Sequence, residues 1–321
     1  MPTNFKYGLL SYGSPVLPSN FGLPGMGSVF WLDPTHGDDT FDGKSPQRAM
    51  KTLEAAYALL TENHNDVLFY IPGTSALTLS AAFSWAKNYC HFIGVAAPTM
   101  FGSRARIIQA AGAYEPLITI SGNGCIWQNI YVFGGAASSA ALTAVYLTGD
   151  WCYFESCQFV GGGCATNALD DACALSLNGS HNNVFVNCTL GAQSIAFVAG
   201  SNVLRFGSTA SGQNLFRDCV IHCMNGTSVS TAYLVELTAT TSVDRWLKFD
   251  RCFFYSWNQS ATTMATAFLI PASPSNGKIF MQDCMGYGFD KWDASDRGML
   301  LGNMNDVTGA DTSGVAVEMV T

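Results

Sequence analysis

Charge is scarce in this chain. Asp, Glu, Lys and Arg make up 12% of its 321 residues, about half the share of an ordinary soluble domain. The 15 basic residues are scattered and outnumbered by 23 acidic ones, leaving a net charge of −8. Phosphate binding needs a concentrated basic patch, so nucleic acid is excluded as a direct partner. Long hydrophobic runs are also missing. The opening residues Met1-Pro2-Thr3-Asn4-Phe5-Lys6 form no basic region followed by an apolar one, and no apolar run of membrane-spanning length occurs anywhere. Neither a secretion signal nor a membrane span is expected, which predicts assembly in a reducing cytoplasm. Helical spacing is absent from most of the sequence.

What the chain has instead is apolar residues, at 48%, and 11 cysteines. An odd cysteine count at regular spacing predicts free buried thiols rather than a disulfide framework. The pairs Cys152 with Cys157 and Cys219 with Cys223 lack the context of a zinc site, and nothing calls for a metal or another cofactor.

The cysteines mark a repeat. Phe154-Glu155-Ser156-Cys157, Phe185-Val186-Asn187-Cys188, Phe216-Arg217-Asp218-Cys219, Phe249-Asp250-Arg251-Cys252 and Met281-Gln282-Asp283-Cys284 are copies of one phrase, with cysteines 31, 31, 33 and 32 residues apart. An earlier copy, Trp127 to Val132, holds Ile130 in the cysteine position. That position therefore asks for a medium apolar side chain, and packing explains it more simply than sulfur chemistry. Each copy has an upstream partner of alternating pattern: Leu117 to Ile120, Val145 to Leu147, Leu175 to Leu177, Leu204 to Phe206, Val235 to Leu237 and Phe268 to Ile270. Period-two alternation punctuated by Gly, Asn, Ser and Thr signals strands.

Two or three strands per repeat, with no helix between them, predict an all-β solenoid in which each repeat is one coil of a single-stranded, right-handed parallel β-helix. Matching positions then stack about 4.8 Å apart. Cys157, Cys188, Cys219, Cys252 and Cys284 would form one internal column, and Phe154, Phe185, Phe216 and Phe249 another. The expected organisation is an extended arm over 1–28, a lead-in strand, acidic loop and capping helix over 29–66, the β-helix over 67–285, and a cap and tail over 286–321. A solenoid surface with so little charge is better suited to burial against protein than to free solution.

The arm is dense in Gly and Pro, which forbid helix and central strand, yet carries Phe5, Tyr7, Leu10, Tyr12, Leu17, Phe21, Leu23 and Met26. It reads either as a strap along its own solenoid or as an attachment segment that orders on a neighbouring subunit. Four carboxylates between Asp33 and Asp42 invite a calcium ion or, more simply, cap backbone amides in turns. From Ser45 to Leu60 the spacing predicts one amphipathic helix, with Ser45 as N-cap, Pro46 in the first turn, and Met50, Leu53, Ala56, Tyr57 and Leu60 on one face. It stands where a solenoid needs its open apolar end plugged.

Gly37, Asp39, Asp42, Gly43, Ser45, Pro46, Ala49, Thr52, Leu53 and Ala56, followed by a strand ending in Pro72-Gly73, resemble the lead-in segment of pectate-lyase-like right-handed parallel β-helix proteins. The resemblance implies that fold. It also implies a setting, since the segment is common in bacteriophage virion proteins, both head decoration proteins and trimeric tailspikes, as well as in secreted polysaccharide lyases and hydrolases. Fold alone does not choose among these.

Catalysis on such a fold would need paired carboxylates, and no convincing pair is visible. Asp218 and Asp250 fall in different positions of the repeat, Glu155 and Asp250 share a position three coils apart, and Asp170-Asp171 are adjacent on a loop. Arg205, Arg217, Arg245, Lys248 and Arg251 lack an acidic cluster in matching positions. His181 and His222 read as turn and surface residues. No catalytic residue is therefore assigned. The outward aromatics Trp151, Tyr153, Tyr255 and Trp257 fit either sugar stacking or burial against a second subunit. The reading that follows is a structural virion protein, a capsid decoration or cement homotrimer bound to the major capsid protein or another virion protein. The alternative is a tailspike-like receptor-binding protein or depolymerase acting on carbohydrate.

Overall fold

The computed structural model describes residues 10–11, 14–15, 27–110, 115–134, 143–161, 172–192, 196–197, 200–225, 232–258, 263–271, 277–293 and 300–301. Apart from one short antiparallel pair near the start of the chain, its strands form three parallel sheets wound into a right-handed β-helix. That is the sense nearly all parallel crossovers take, because strand twist feeds the chain back onto the sheet only that way. The first sheet stacks ten strands, from Val29–Leu32 and Val67–Tyr70 through Tyr153–Glu155, Val184–Val186 and Ser211–Arg217 to Gly277–Gln282 and Leu300–Leu301. The second runs from Leu77–Leu79 through Arg106–Gln109, Tyr131–Phe133, Gln158–Val160 and Val220–Asn225 to Phe253–Asn258 and Met285–Tyr287. The third runs from Phe83–Trp85 through Thr143–Leu147, Cys173–Leu177, Asn202–Phe206 and Tyr233–Leu237 to Phe289–Asp293.

Register places repeat copies directly above one another. Phe154 pairs with Phe185, Phe185 with Phe216, and Phe216 with Phe249. Their rings stack inside the coil with centroids 4.6, 4.4 and 5.2 Å apart. Isolated aromatic pairs favour edge-on or offset contact, so here the coil rise dictates the stack. Burying each ring contributes roughly 1.5–3 kcal/mol.

The turn joining the first sheet to the second repeats a left-handed residue just before the cysteine position. Asn129, Ser156, Asn187, Asp218, Arg251 and Asp283 all have φ between 52° and 55°. This single residue turns the chain sharply enough to aim the next side chain back into the core.

The helical cap is shorter than its spacing suggests. A 3-10 turn at Pro46–Arg48 is followed by an α-helix only at Leu53–Ala58, whose N-cap is Thr52 rather than Ser45. Between them Met50 donates its N–H to Trp31 and accepts from Asp33 N, forming a bridge to Leu32. Two backbone bonds to the lead-in strand outweigh local helix propensity there. Met50, Leu53, Ala56 and Leu60 are buried as the spacing predicts. Lys87 fastens the other end of the helix, its ammonium donating to the carbonyls of Tyr57, Ala58 and Leu60 at 2.9, 3.3 and 2.6 Å. These are carbonyls a helix C-terminus leaves without intrahelical donors.

Candidate functional site

Inside the coil, the predicted cysteine column is assembled as expected. Cys157, Cys188, Cys219, Cys252 and Cys284 are buried and free. Each thiol donates to a carbonyl of the preceding coil: Trp127, Phe154, Phe185, Phe216 and Phe249, at 3.4–3.6 Å. Burial pushes the Cys188 and Cys252 thiols well above the ordinary range. A neutral donor with a backbone acceptor is a packing element, since nucleophilic chemistry needs the thiolate.

A second column went unread in the sequence. Register aligns Asp66, Cys90, Cys125, Cys152, Asn183, Asn214, Leu247 and Ile279. Its chemistry changes midway, which hides it. Asn183 Oδ1 accepts from Cys152 N at 2.7 Å, and Asn214 Oδ1 from Asn183 N at 3.0 Å. Beside it, Asn88, Asn123, Asp150 and His181 form a ladder in which each side chain accepts from the backbone N–H one coil later. His181 is thus a turn residue, as its sequence context suggests.

The acidic loop is organised by its own backbone. Asp33 accepts from Thr35 N and His36 N, Asp38 from Thr40 N, Asp39 from Lys51 N and Thr52 N, and Asp42 from Lys44 N and Arg48 Nε. Those amide bonds hold Asp38 and Asp42 below the usual carboxylate range. Among the described residues no cluster of three or more metal-ligating side chains occurs.

On the solenoid flank, the acids and bases singled out in the sequence face each other coil to coil. Arg217 Nε lies 3.0 Å from Asp250, and Arg251 Nε lies 2.8 Å from Asp218. Asp218 and Asp250 occupy different columns, with Glu155, Val186, Arg217 and Asp250 aligned in one of them. Arg245 pairs with Asp244, and Lys248 donates to Gln282. Asp170 and Asp171 lie outside the described residues.

The third sheet carries a cluster of polar side chains, several of them buried. Thr119, Tyr146, Ser176, Arg205 and Glu236 form one column, and Thr143, Cys173, Asn202 and Tyr233 the next. Asn202 Nδ2 donates to Glu236 Oε2 at 2.6 Å, and Arg205 Nε lies 3.3 Å from the same oxygen. Thr143 donates to Glu115 at 2.8 Å. Burial, then Glu236, raises the Tyr233 hydroxyl, and burial pushes Cys173 up to about 12. Arg205 is neutralised by Glu236, so the cluster holds hydrogen-bonding and aromatic side chains rather than a free base.

The outer face of the second sheet is different. The loop between His91–Gly94 and Arg106–Gln109 folds along it. Gly102 N donates to Gln158 at 2.8 Å, and Phe101 packs edge-on against His222 with centroids 5.2 Å apart. His222 is consequently buried, not a surface residue, because a chain segment distant in sequence covers it. Tyr255 stacks on its other side. Burial lowers His222 to about 4, and neither ring nitrogen has a partner among the described residues.

Beyond His222 the face is more exposed among the described residues. Phe253 and Tyr255 are half-buried and stacked, with centroids 4.9 Å apart, while Trp257, Met285 and Tyr287 are 52%, 51% and 69% exposed. Phe253 pairs with Met285 and Tyr255 with Tyr287, so these side chains form one continuous strip. Of the aromatics singled out in the sequence, Tyr255 and Trp257 belong to it, whereas Tyr153 stands on the first sheet and Trp151 at its entrance. Met285 and Tyr287 were missed, since they follow the last copy of the cysteine phrase, Met281-Gln282-Asp283-Cys284. Among the arm residues, Leu10 lies in a two-residue strand, Leu10–Ser11, antiparallel to Ser14–Pro15. Phe5, Tyr7, Tyr12, Leu17, Phe21, Leu23 and Met26 lie outside the described residues.

No protein-family model and no curated protein sequence matches this chain. Solved structures do match it in fold. Pectin methylesterase PemA from Erwinia chrysanthemi is similar at a TM-score of 0.55 and 15% identity, over 92% of this chain and 93% of that one. A rhamnogalacturonan lyase is similar at 0.59 and 14%, over 88% and 74%. Pectate lyase Pel9A is similar at 0.53 and 11%, over 90% and 80%. The likeness is one of architecture, and it agrees with the pectate-lyase-like resemblance of the lead-in segment.

Proposed function

We propose that the chain is a structural protein of a bacteriophage virion, a capsid decoration or cement protein that binds the assembled shell as a homotrimer. The observation that carries this reading is the strip of Phe253, Tyr255, Trp257, Met285 and Tyr287 on the second sheet, of which Trp257, Met285 and Tyr287 are exposed. A continuous apolar strip on a chain with 12% charged residues favours burial against protein. The resemblance of the lead-in segment to that of phage head proteins supports the setting. The arm over residues 1–28, rich in large apolar side chains, supplies a second attachment element to the major capsid protein or another virion protein. Binding after assembly would stabilise the shell by mass action, since only the assembled lattice presents the site. Deleting residues 1–28 is expected to leave a folded β-helix that no longer cosediments with particles. Undiminished cosedimentation would count against the arm as the attachment element.

A second reading is favoured by the polar cluster on the third sheet, where Tyr146, Arg205, Tyr233 and Glu236 are partly exposed and carry hydrogen-bonding and aromatic groups. Such a surface suits a tailspike-like receptor-binding protein or a depolymerase of bacterial surface polysaccharide. Incubating the protein with capsule or lipopolysaccharide and assaying for reducing ends or unsaturated uronates separates the two. Product formation would favour the second.

A further inference from the structure

Among the described arginines, Arg48, Arg205, Arg217, Arg245 and Arg251 each lie within 3.5 Å of a carboxylate. Arg104 and Arg106 have none. Both line a small polar groove with Gly73, Thr74, Ser75, Ala76, Gly102 and Ser103, at the capped end of the second sheet and away from the aromatic strip. In an acidic chain, two uncompensated guanidinium groups in one groove stand out.

Arg106 is held ready. Its guanidinium lies over the rings of Tyr131 and Phe133, at 5.4 and 5.2 Å from their centroids. Its carbonyl accepts from the Tyr70 hydroxyl at 3.0 Å. The Nε is buried yet has no hydrogen-bond partner. A buried donor left without an acceptor costs stability unless something supplies one. Two rings that fix the guanidinium plane also reduce the entropy lost when the fork closes on a planar or tetrahedral oxyanion. Arg104 is exposed at the groove edge, and Thr74 and Ser75 add hydroxyl donors from the facing turn.

We propose that this groove binds a single oxyanion group, with Arg106 as the fixed fork, Arg104 as the mobile second cation, and the Thr74 and Ser75 hydroxyls completing the donor set. The site is separate from the aromatic strip and does not depend on the attachment reading. The test is calorimetric titration of the full chain with inorganic phosphate, sulfate and glucuronate, at ionic strength held constant with chloride. Saturable one-site binding of at least one probe is expected, and it should weaken at least tenfold in Arg104→Gln and in Arg106→Gln. Preference for glucuronate over both inorganic ions would assign a sugar-borne carboxylate. Preference for phosphate or sulfate would assign a tetrahedral oxyanion. Arg106→Lys keeps the charge and the stem but loses the fork, and it too should bind more weakly. Circular dichroism of each variant confirms that the coil is intact, and Arg104→Gln, an exposed change, serves if Arg106 variants fail to fold. Absence of saturable binding to all three probes, or equal binding by Arg104→Gln and the unaltered chain, would overturn the proposal.

Discussion

At position 151 a tryptophan stands where a smaller polar residue would be easier to hold. Residues Asn65, Tyr89, Gly124, Trp151, Asn182 and Gln213 repeat a left-handed backbone at the entrance to the first sheet, with φ from 50° to 64°. Gly124 suits it doubly, because a Cβ there would lie 2.5 Å from the Tyr89 ring. A bulky L-residue in this region costs about 1–2 kcal/mol, and Trp151 is 59% exposed, so little burial offsets the strain. Trp151→Asn is therefore expected to stabilise the fold by roughly 1 kcal/mol in urea denaturation. A destabilisation would mean that the ring contributes more contact than its exposure implies.

Two buried histidines contribute to the acid sensitivity expected of the fold. Burial lowers both His91 and His222 to about 4, and His91 Nδ1 accepts from Ile126 N at 3.1 Å. The unfolded chain takes up these protons near pH 6.5, the folded chain only near 4, so the folded state loses stability as pH falls through that window and keeps it above. Each histidine accounts for up to about 3 kcal/mol across it. Urea midpoints from pH 7.5 to 4.5 should fall for the unaltered chain and fall less for His222→Phe, which preserves the stacking on Tyr255 and Phe101. An unchanged slope in the variant would remove His222 from the account.

At the scale of elements, the helical cap shows where sequence and structure part. The coil phrases were legible because every copy meets the same neighbours, so one pattern recurs in Phe154, Phe185, Phe216 and Phe249. The cap occurs once. Its spacing ran unbroken from Ser45 to Leu60, but Met50 is claimed by backbone bonds to Trp31 and Asp33, a contact no local pattern announces. The second column was illegible for a related reason, since thiols give way to Asn183 and Asn214 and then to Leu247. His222 reads as surface until Phe101 is known to cross over it. Lys87 is the most testable of these long-range fasteners. Besides its three carbonyl partners, its backbone N–H donates to the Tyr57 hydroxyl at 2.7 Å. Lys87→Met keeps the stem and removes the donors, and a loss of about 1–3 kcal/mol is expected. Hydrogen exchange should localise the added opening to Leu53–Ala58 before the coils. Uniform loosening of all sheets would show that the cap is not a separate unit.

For the whole molecule, stacked coils leave long flanks whose composition is set by what lies against them. The first sheet's flank is laced by Arg217 with Asp250 and Arg251 with Asp218, an arrangement at ease in water. The second sheet's flank is covered by the Phe101 loop as far as His222, and further along Trp257, Met285 and Tyr287 are exposed. If that strip is buried against a second protein, replacing its two most exposed aromatic residues should leave folding alone and remove association. Trp257→Ser with Tyr287→Ser is accordingly expected to shift the urea midpoint by no more than a surface change does, about 0.5 kcal/mol per site. If the chain forms the proposed trimer, the same pair should lower its sedimenting mass toward that of the monomer, or lower particle cosedimentation, by at least tenfold in apparent affinity. Burial of two large aromatics at an interface centre is worth several kcal/mol in favourable cases, so an effect of that size lies well within reach. Full trimer formation and full particle binding by the doubly substituted chain would leave the strip without a partner and return the assembly role to the arm alone.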